Sequence, residues 1–380
     1  MDQQLCIPGI SSPGMTAVAL LLVAFVALVL NGARAFRPPR LLVVKNASSR
    51  LHSTLITKYE TMSDLDSGFD YKKSDKLPWL GEKGYKKWTY KTSAGAVHQI
   101  NFIDLGKEEG KKKKPLLLIH GFGASCYHWR YNIPILARDY HVYAIDLLGF
   151  GLSDKPVQDY PAEVWRDQAV AFINEVIYPE TKEAVTVAGN SLGGFTALYT
   201  AASLGKELVN GCILINAAGR FRGEVVEKEE DKTSIAFQLK KTFQKFVIGL
   251  SFVYTKQPLR IKQVLKQVYP VSPDMVDDDL VESIQIPALN KNAAEVFYRV
   301  ITSNGNGPAT FTDDLLKKLS APLLLLWGSQ DPWIRPSSAD RIQTLLPSAI
   351  RINVEAGHCG HDEKPKEFNE EIKKFMELIK

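Results

Sequence analysis

Cysteine is scarce in this chain, with four in 380 residues and no C-x-x-C pair. Cys6 lies in a segment expected to be removed, which leaves Cys126, Cys212 and Cys359, an odd number that offers no disulfide framework. No His, Cys and Asp spacing suggests a metal site, so neither metal nor cofactor is expected. Internal repeats and low-complexity tracts are missing, which excludes a repeat array. Acidic residues are missing between Asp2 and Glu60. Residues 1–58 hold six of the 47 basic side chains (Arg34, Arg37, Arg40, Lys45, Arg50, Lys58) and one of the 42 acidic ones, so the remainder is neutral. A neutral body behind a basic leader points to targeting and away from a nucleic-acid partner.

The leader has two parts. Met15 to Leu30 is an uncharged apolar run of sixteen residues, followed by Ala33-Arg34-Ala35, a small-x-small cleavage pattern. That length suits a signal peptide better than a full span, although a basic n-region is missing. From Phe36 to Lys58 the chain is basic, acid-free and contains serine. The whole resembles the bipartite plastid-targeting leaders of algae with secondary plastids, which implies plastid localisation. The competing reading keeps residues 15–30 as an endomembrane anchor.

The body alternates strands and helices. Lys87 to Ser93 and Ala96 to Leu105 read as two opening antiparallel strands, and the Lys111 to Lys114 run after them as a solvated hairpin turn. Pro115 to Ile119, His141 to Asp146, Val185 to Ala188, Cys212 to Ile215 and Leu323 to Trp327 are short apolar runs, as expected of strands buried on both faces. A further strand is expected near Ile350 to Val354. Val164, Trp165, Ala169, Phe172, Ile173, Val176 and Ile177 recur at helix spacing. The fold class is therefore α/β, a mainly parallel doubly wound sheet whose ligands sit at the carboxyl ends of the strands.

Polar residues gather at those ends. Gly189-Asn190-Ser191-Leu192-Gly193-Gly194 runs from a strand into a helix, the pattern of a nucleophile elbow. There a strained backbone lifts Oγ from the sheet toward a helix N-terminus. His120-Gly121-Phe122-Gly123 follows an earlier strand, and in an α/β-hydrolase that turn gives one oxyanion N–H, here from Phe122, with Leu192 giving the other. Asp331 and His358 each follow a later strand, and the order Ser191, Asp331, His358 is nucleophile, acid and base. His120 and His361 compete with His358 for the base but suit structural roles better. Cys126 and Cys359 lack an elbow and read as lining residues, and Cys212 as core.

HGFGASCYHWRYNIPILA, YAIDLLGFGLSDKP, GNSLGGFTAL, LLLLWGSQDPW and AGHCGHDEKP together resemble the plastid α/β-hydrolases of the chlorophyll dephytylase and pheophytinase type, from about Lys87 to Met376. The resemblance implies nucleophile Ser191, acid Asp331, base His358 and oxyanion donors Phe122 and Leu192, acting on a phytyl ester of a tetrapyrrole. Gly360 departs from the family's usual proline, which implies a looser histidine loop.

Boundaries follow: a leader over 1–58, core over 59–221, an inserted helical lid over 222–320, and core again over 321–380. The lid segment is rich in apolar and aromatic residues, and Phe237, Phe243, Phe246 and Phe252 are expected to line or gate a channel for a long hydrocarbon or flat macrocycle. The partner is then a large apolar ester, with a thylakoid or other membrane surface as a candidate. Oligomeric state is not legible. Ester hydrolysis competes with carbon–carbon bond hydrolysis, since G-N-S-x-G-G also resembles ring-cleavage-product hydrolases. A non-catalytic binding protein on the same fold is the third reading.

Overall fold

The structure, a computed structural model, describes residues 59, 76–78, 84–223, 235–302 and 310–379, with the side chains of 235–243 and 246 left out. The expected leader at 1–58 lies outside the described residues. Among these, no helix is long and apolar enough to cross a membrane.

Among the described residues, eight strands form one sheet in the order β1-β2-β4-β3-β5-β6-β7-β8. They are β1 (Tyr85–Lys91), β2 (Val97–Leu105), β3 (Pro115–Ile119), β4 (His141–Ile145), β5 (Val185–Asn190), β6 (Val209–Ile215), β7 (Leu323–Gly328) and β8 (Ile350–Val354). The β1–β2 and β2–β4 pairs are antiparallel, and every other pair is parallel. Among the described residues, the helices longer than one turn are α1 (Ala162–Phe172), α2 (Leu192–Leu204), α3 (Ile235–Thr255), α4 (Pro258–Val268), α5 (Asp278–Ala288), α6 (Ala293–Thr302), α7 (Thr312–Lys318), α8 (Pro336–Leu345) and α9 (Pro365–Leu378).

Period-two alternation divides the core between the two sheet faces. Leu117, Ile119, Tyr143, Val187, Leu214 and Leu325 join one cluster with residues of α1, α2, α7 and α8. Leu116, Leu118, Val142, Ala188, Ile213 and Leu326 join another with Phe368, Ile372 and Phe375 of α9. Both faces are covered, which is why the central strands read as unbroken apolar runs.

The expected hairpin at Lys111 to Lys114 is not one. The β2–β3 connection passes over β4, which lies between those two strands. Glu108 and Lys111 form only a local bridge there, and Glu108 pairs with Lys111 and Lys113.

Helices α3 to α6 form the insertion between β6 and β7. Helix α7 lies within the stretch read as lid, yet it packs on α2, and its Leu315 and Leu316 belong to the sheet core. The insertion has its own small core, where Ile261, Leu265, Val268, Tyr269, Met275 and Leu280 close around Tyr131 and Cys359. β3 connects to β4 on one side while β5 lies on its other side, so a crevice opens between the ends of β3 and β5.

Candidate active site

Ser191 stands where β5 turns into α2, with φ 56° and ψ −119°. A non-glycine residue rarely holds such a backbone, and the strain costs on the order of 1–3 kcal/mol. Its neighbours show why glycine flanks it. A Cβ on Gly189 would lie 2.1 Å from the Gly193 carbonyl oxygen, and one on Gly193 would lie 2.1 Å from the Ile119 oxygen. One on Gly194 would lie 2.5 Å from the Ala217 Cβ. Strand, helix and the neighbouring β3 thus close on the elbow to a distance no side chain permits. Bonds from the Ala218 and Phe195 N–H groups to the Ser191 carbonyl hold the turn.

The turn after β3 packs beside it. A Cβ on Gly121 would lie 3.2 Å from the Ser191 Cβ. Leu192 opens α2, so its N–H has no carbonyl a turn earlier within the helix. The Phe122 N–H donates to no group among the described residues. Gly123, at φ 72°, supplies the left-handed residue that reverses the chain. His120 is fully buried, with Nδ1 2.7 Å from the Gly121 oxygen and Nε2 accepting from the Leu147 N–H at 3.0 Å. Burial pulls its pKa down. It is a neutral strut of the turn.

His358 and Asp331 meet directly, with Nδ1 2.7 Å from Oδ2. The other carboxylate oxygen accepts from the Trp333 N–H at 2.7 Å and the Ile334 N–H at 3.0 Å. Asn216, at the end of β6 with φ 42°, adds a donor: its Nδ2 lies 2.7 Å from the same Oδ2 that faces His358. The Gly328 N–H donates to the Asn216 Oδ1 at 2.8 Å, which fixes how the amide is turned. Sequence reasoning passed Asn216 by; an asparagine at a strand end was the available signal. Asn190, the residue before Ser191, donates to the His358 carbonyl at 2.9 Å and ties the elbow to the histidine loop. Asp146 and Asp362, two other buried carboxylates, are engaged elsewhere. Asp146 accepts from Asn101, Cys126 and Leu152.

The histidine loop is clamped from behind. Fully buried Arg130 donates to both Asp362 oxygens at 2.9 and 3.2 Å, to Asp277 and to the Met275 carbonyl. The Tyr269 hydroxyl donates to Asp362 at 2.7 Å. Burial raises the Asp362 pKa, while Arg130 and Tyr269 pull it back. Glu363 accepts from the Val271 and Ser272 N–H groups at 2.7 and 2.8 Å, and from Gly357. The looser loop inferred from Gly360 is therefore corrected. A Cβ there would lie 2.3 Å from the Phe368 ring, so the glycine marks close packing that proline would break.

Of the expected lining residues, Cys126 is a core residue instead, its thiol donating to the Ala144 carbonyl. Cys359 is buried among the insertion's own residues. His361 is wholly buried beside His128 and Trp129, at ring separations of 5.0 and 4.1 Å.

Phe237, Phe243 and Phe246 lie on α3, but their side chains fall outside the described residues. Phe252 is described and buried, 5.0 Å from the Phe297 ring of α6. Phe297 lies 5.5 Å from Phe122, and Phe122 lies 5.4 Å from Phe150. A ladder of rings thus leads from the insertion to the turn beside Ser191. Phe297 escaped the sequence reading because one phenylalanine on an amphipathic helix carries no distinctive pattern.

A sheet of this order, with a positive-φ serine where a central strand enters a helix, is the framework of the α/β-hydrolases. The chain belongs to that family: the model of the alpha/beta hydrolase fold matches residues 114–365. Chloroplastic pheophytinase of Arabidopsis thaliana is 33% identical over 297 residues, covering 67% of this chain and 59% of that protein. The chain thus spans less than two thirds of that relative. The 2-hydroxy-6-oxo-6-(2'-aminophenyl)hexa-2,4-dienoic acid hydrolase of Metapseudomonas resinovorans is 27% identical, covering 80% of this chain and 96% of that protein. Among solved structures, the serine hydrolase CarC of carbazole degradation superposes with a TM-score of 0.60 at 23% identity, covering 77% of this chain and 99% of CarC.

Proposed function

We propose that the protein is a serine esterase acting on a large apolar carboxylic ester, foremost the phytyl ester of chlorophyll or pheophytin. The observation that carries the chemistry is the His358–Asp331 pair at 2.7 Å, tied through Asn190 to a strained Ser191. In this reading Asp331 holds the Nδ1–H tautomer and leaves Nε2 to take the Ser191 proton. Oγ attacks the ester carbonyl, the Phe122 and Leu192 N–H groups hold the oxyanion, and His358 returns the proton to the leaving alcohol. Water, deprotonated by His358, then releases the acid from Ser191. All three groups and both donors come from this chain.

The substrate reading rests on the ring ladder from Phe252 to Phe150, on the similarity to chloroplastic pheophytinase, and on the apolar lid sequence with Phe237, Phe243 and Phe246. A plastid location is part of the same proposal, supported by the leader's composition and by that relative's name. The carbon–carbon hydrolase reading draws on the second relative, whose substrate is named as a dienoic acid. Such a substrate calls for a cation beside Phe122, where Phe150 and Phe297 stand. The test is the purified protein on esters from short acyl chains to chlorophyll and pheophytin, beside Ser191→Ala. Turnover of pigment esters with release of phytol, lost in Ser191→Ala, is the expected result. Good turnover of simple lipids with none of pigment would replace the substrate reading by that of a lipase.

A further inference from the structure

Helix α3 has a solvent face with the wrong chemistry for solvent. Its inner side is buried through Ile248, Phe252 and Thr255. On the outer side Val247, Leu250, Val253 and Tyr254 are 44, 63, 51 and 52% exposed, and Leu259 at the start of α4 is 78% exposed. These four positions of α3 share one arc of the helix, where a surface helix ordinarily carries charge. From Phe246 to Tyr254 the sequence FVIGLSFVY contains no charged residue at all.

Charge along α3 and α4 themselves has one sign. Between Ile235 and Val268 lie seven lysines and arginines and no aspartate or glutamate. Lys245 and Lys262 reach back to Glu295 and Asp278 on neighbouring helices. Arg260 lies over the exposed Tyr254 ring at 5.2 Å and Lys266 is exposed on α4, while Lys256, just past α3, sets its ammonium 6.0 Å from the inner Phe252 ring. An apolar arc rimmed by cations suits the interface of an anionic bilayer. It suits a second copy of this chain poorly, because a twofold contact brings the same patch against itself, cations included.

We propose that the outer face of α3 and the start of α4 dock on an anionic lipid surface, with Leu250, Val253, Tyr254 and Leu259 in the acyl boundary and Arg260 and Lys266 at the headgroups. This deepens the ester reading and rests on it for the substrate alone. The opposite face of the same helix carries Phe252, which begins the ring ladder to Phe122. One helix thickness, about 10 Å, then separates lipid from the insertion's inner rings, and a membrane-dissolved ester reaches the site without crossing bulk water.

The experiment places an environment-sensitive fluorophore at residue 259 of the full chain, as Leu259→Cys with Cys6→Ser. Cys126, Cys212 and Cys359 are buried, and a Cys6→Ser chain without the new cysteine measures background labelling. Vesicles of phosphatidylcholine with phosphatidylglycerol should shift the emission to the blue, and spin-labelled lipids should quench it. Phosphatidylcholine alone should do neither. Arg260→Glu and Lys266→Glu together should weaken the response by about fivefold per charge removed. The dye reads this face alone, so binding through residues 15–30 does not imitate the result, and unchanged turnover of a soluble short ester shows that every variant is folded. An unshifted dye on vesicle-bound protein would overturn the proposal, as would an equal response to neutral vesicles. A blue shift without vesicles that grows with protein concentration would assign the face to a second copy. Docking without cleavage of vesicle-borne phytyl esters would leave this inference standing and remove the substrate reading.

Discussion

The Asn216 amide donates at 2.7 Å to the Asp331 oxygen that also faces His358, from a backbone held at φ 42°. The carboxylate therefore cannot rotate without giving up a bond to β6 as well as one to the imidazole. Asn216→Ala removes a donor to a charged group, a bond worth about 1.5–3 kcal/mol. Spent on orienting the base, that is about a ten- to hundredfold loss in kcat with KM unchanged. Steady-state kinetics on a soluble ester check it; a change under twofold would show that Trp333 and Ile334 orient Asp331 unaided.

Asp331→Asn keeps the loop's shape but offers His358 the wrong partner. Activity is expected to fall by about four orders of magnitude with little change in melting temperature. Loss of only a few-fold would place the acid elsewhere. Fluorophosphonate labelling should report the same ranking, with Ser191→Ala unlabelled.

Two glycines of the site should answer differently to alanine. Gly193→Ala sets a Cβ 2.1 Å from the Ile119 oxygen and 2.5 Å from the His120 oxygen, both backbone atoms with nowhere to go. No folded protein is expected. Gly123→Ala meets nothing within 4 Å and suffers only the left-handed backbone, about 1–2 kcal/mol. Thermal melts of both variants separate the two effects.

Arg130→Met leaves Asp362 buried without its counter-ion. Breaking such a pair costs about 3–5 kcal/mol, a fall in melting temperature on the order of 10 °C. A melt within 2 °C of the parent, taken as about the effect of under 1 kcal/mol, would show that Tyr269 alone sustains the carboxylate.

His128 and His361 make the fold sensitive to acid. Burial, first, and then neighbouring Arg130 hold the His128 pKa down to about 3, and burial holds His361 well below the ordinary histidine value. The unfolded chain binds these protons near pH 6.5, and the native state refuses them. Stability is thus lost as pH falls below about 6.5, for His128 by about 1.4 kcal/mol per pH unit down to about pH 3, and His361 acts in the same direction. His128→Gln should lose about 2 kcal/mol less than the parent between pH 7 and pH 5 in urea titrations. Equal losses in the two proteins would exclude His128 as a source.

What could be read in advance was local. Pro115–Ile119 and Ile350–Val354 have the bounds expected of them, because apolar runs mark buried strands without help from the rest of the chain. The placing of Asp331 and His358 just past strands followed from the same local pattern. What escaped depends on partners far along the chain: Asn216 is 115 residues from Asp331, and Arg130 is 232 from Asp362. Strand order escaped for the same reason, since nothing near Lys111 says that β4 will settle between β2 and β3. Gly360 misled because a missing side chain says nothing about how closely Phe368 approaches.

The insertion is not attached evenly. The His358 N–H donates to the Val268 carbonyl at 3.1 Å, and Glu363 holds the Val271 and Ser272 N–H groups, so the segment after α4 shares its backbone bonds with the histidine loop. Among the described residues, helices α3 and α6 reach the turn beside Ser191 through the Phe252 and Phe297 rings, and α6 also packs on the sheet core through Val296 and Val300. Under the proposed esterase reading, a lineage of such chains can change the exposed and ring-bearing positions of α3 and α6, and with them the substrate, without touching a backbone bond of the histidine loop. Changes between Val268 and Asp277 carry no such licence, for they shift His358 with them.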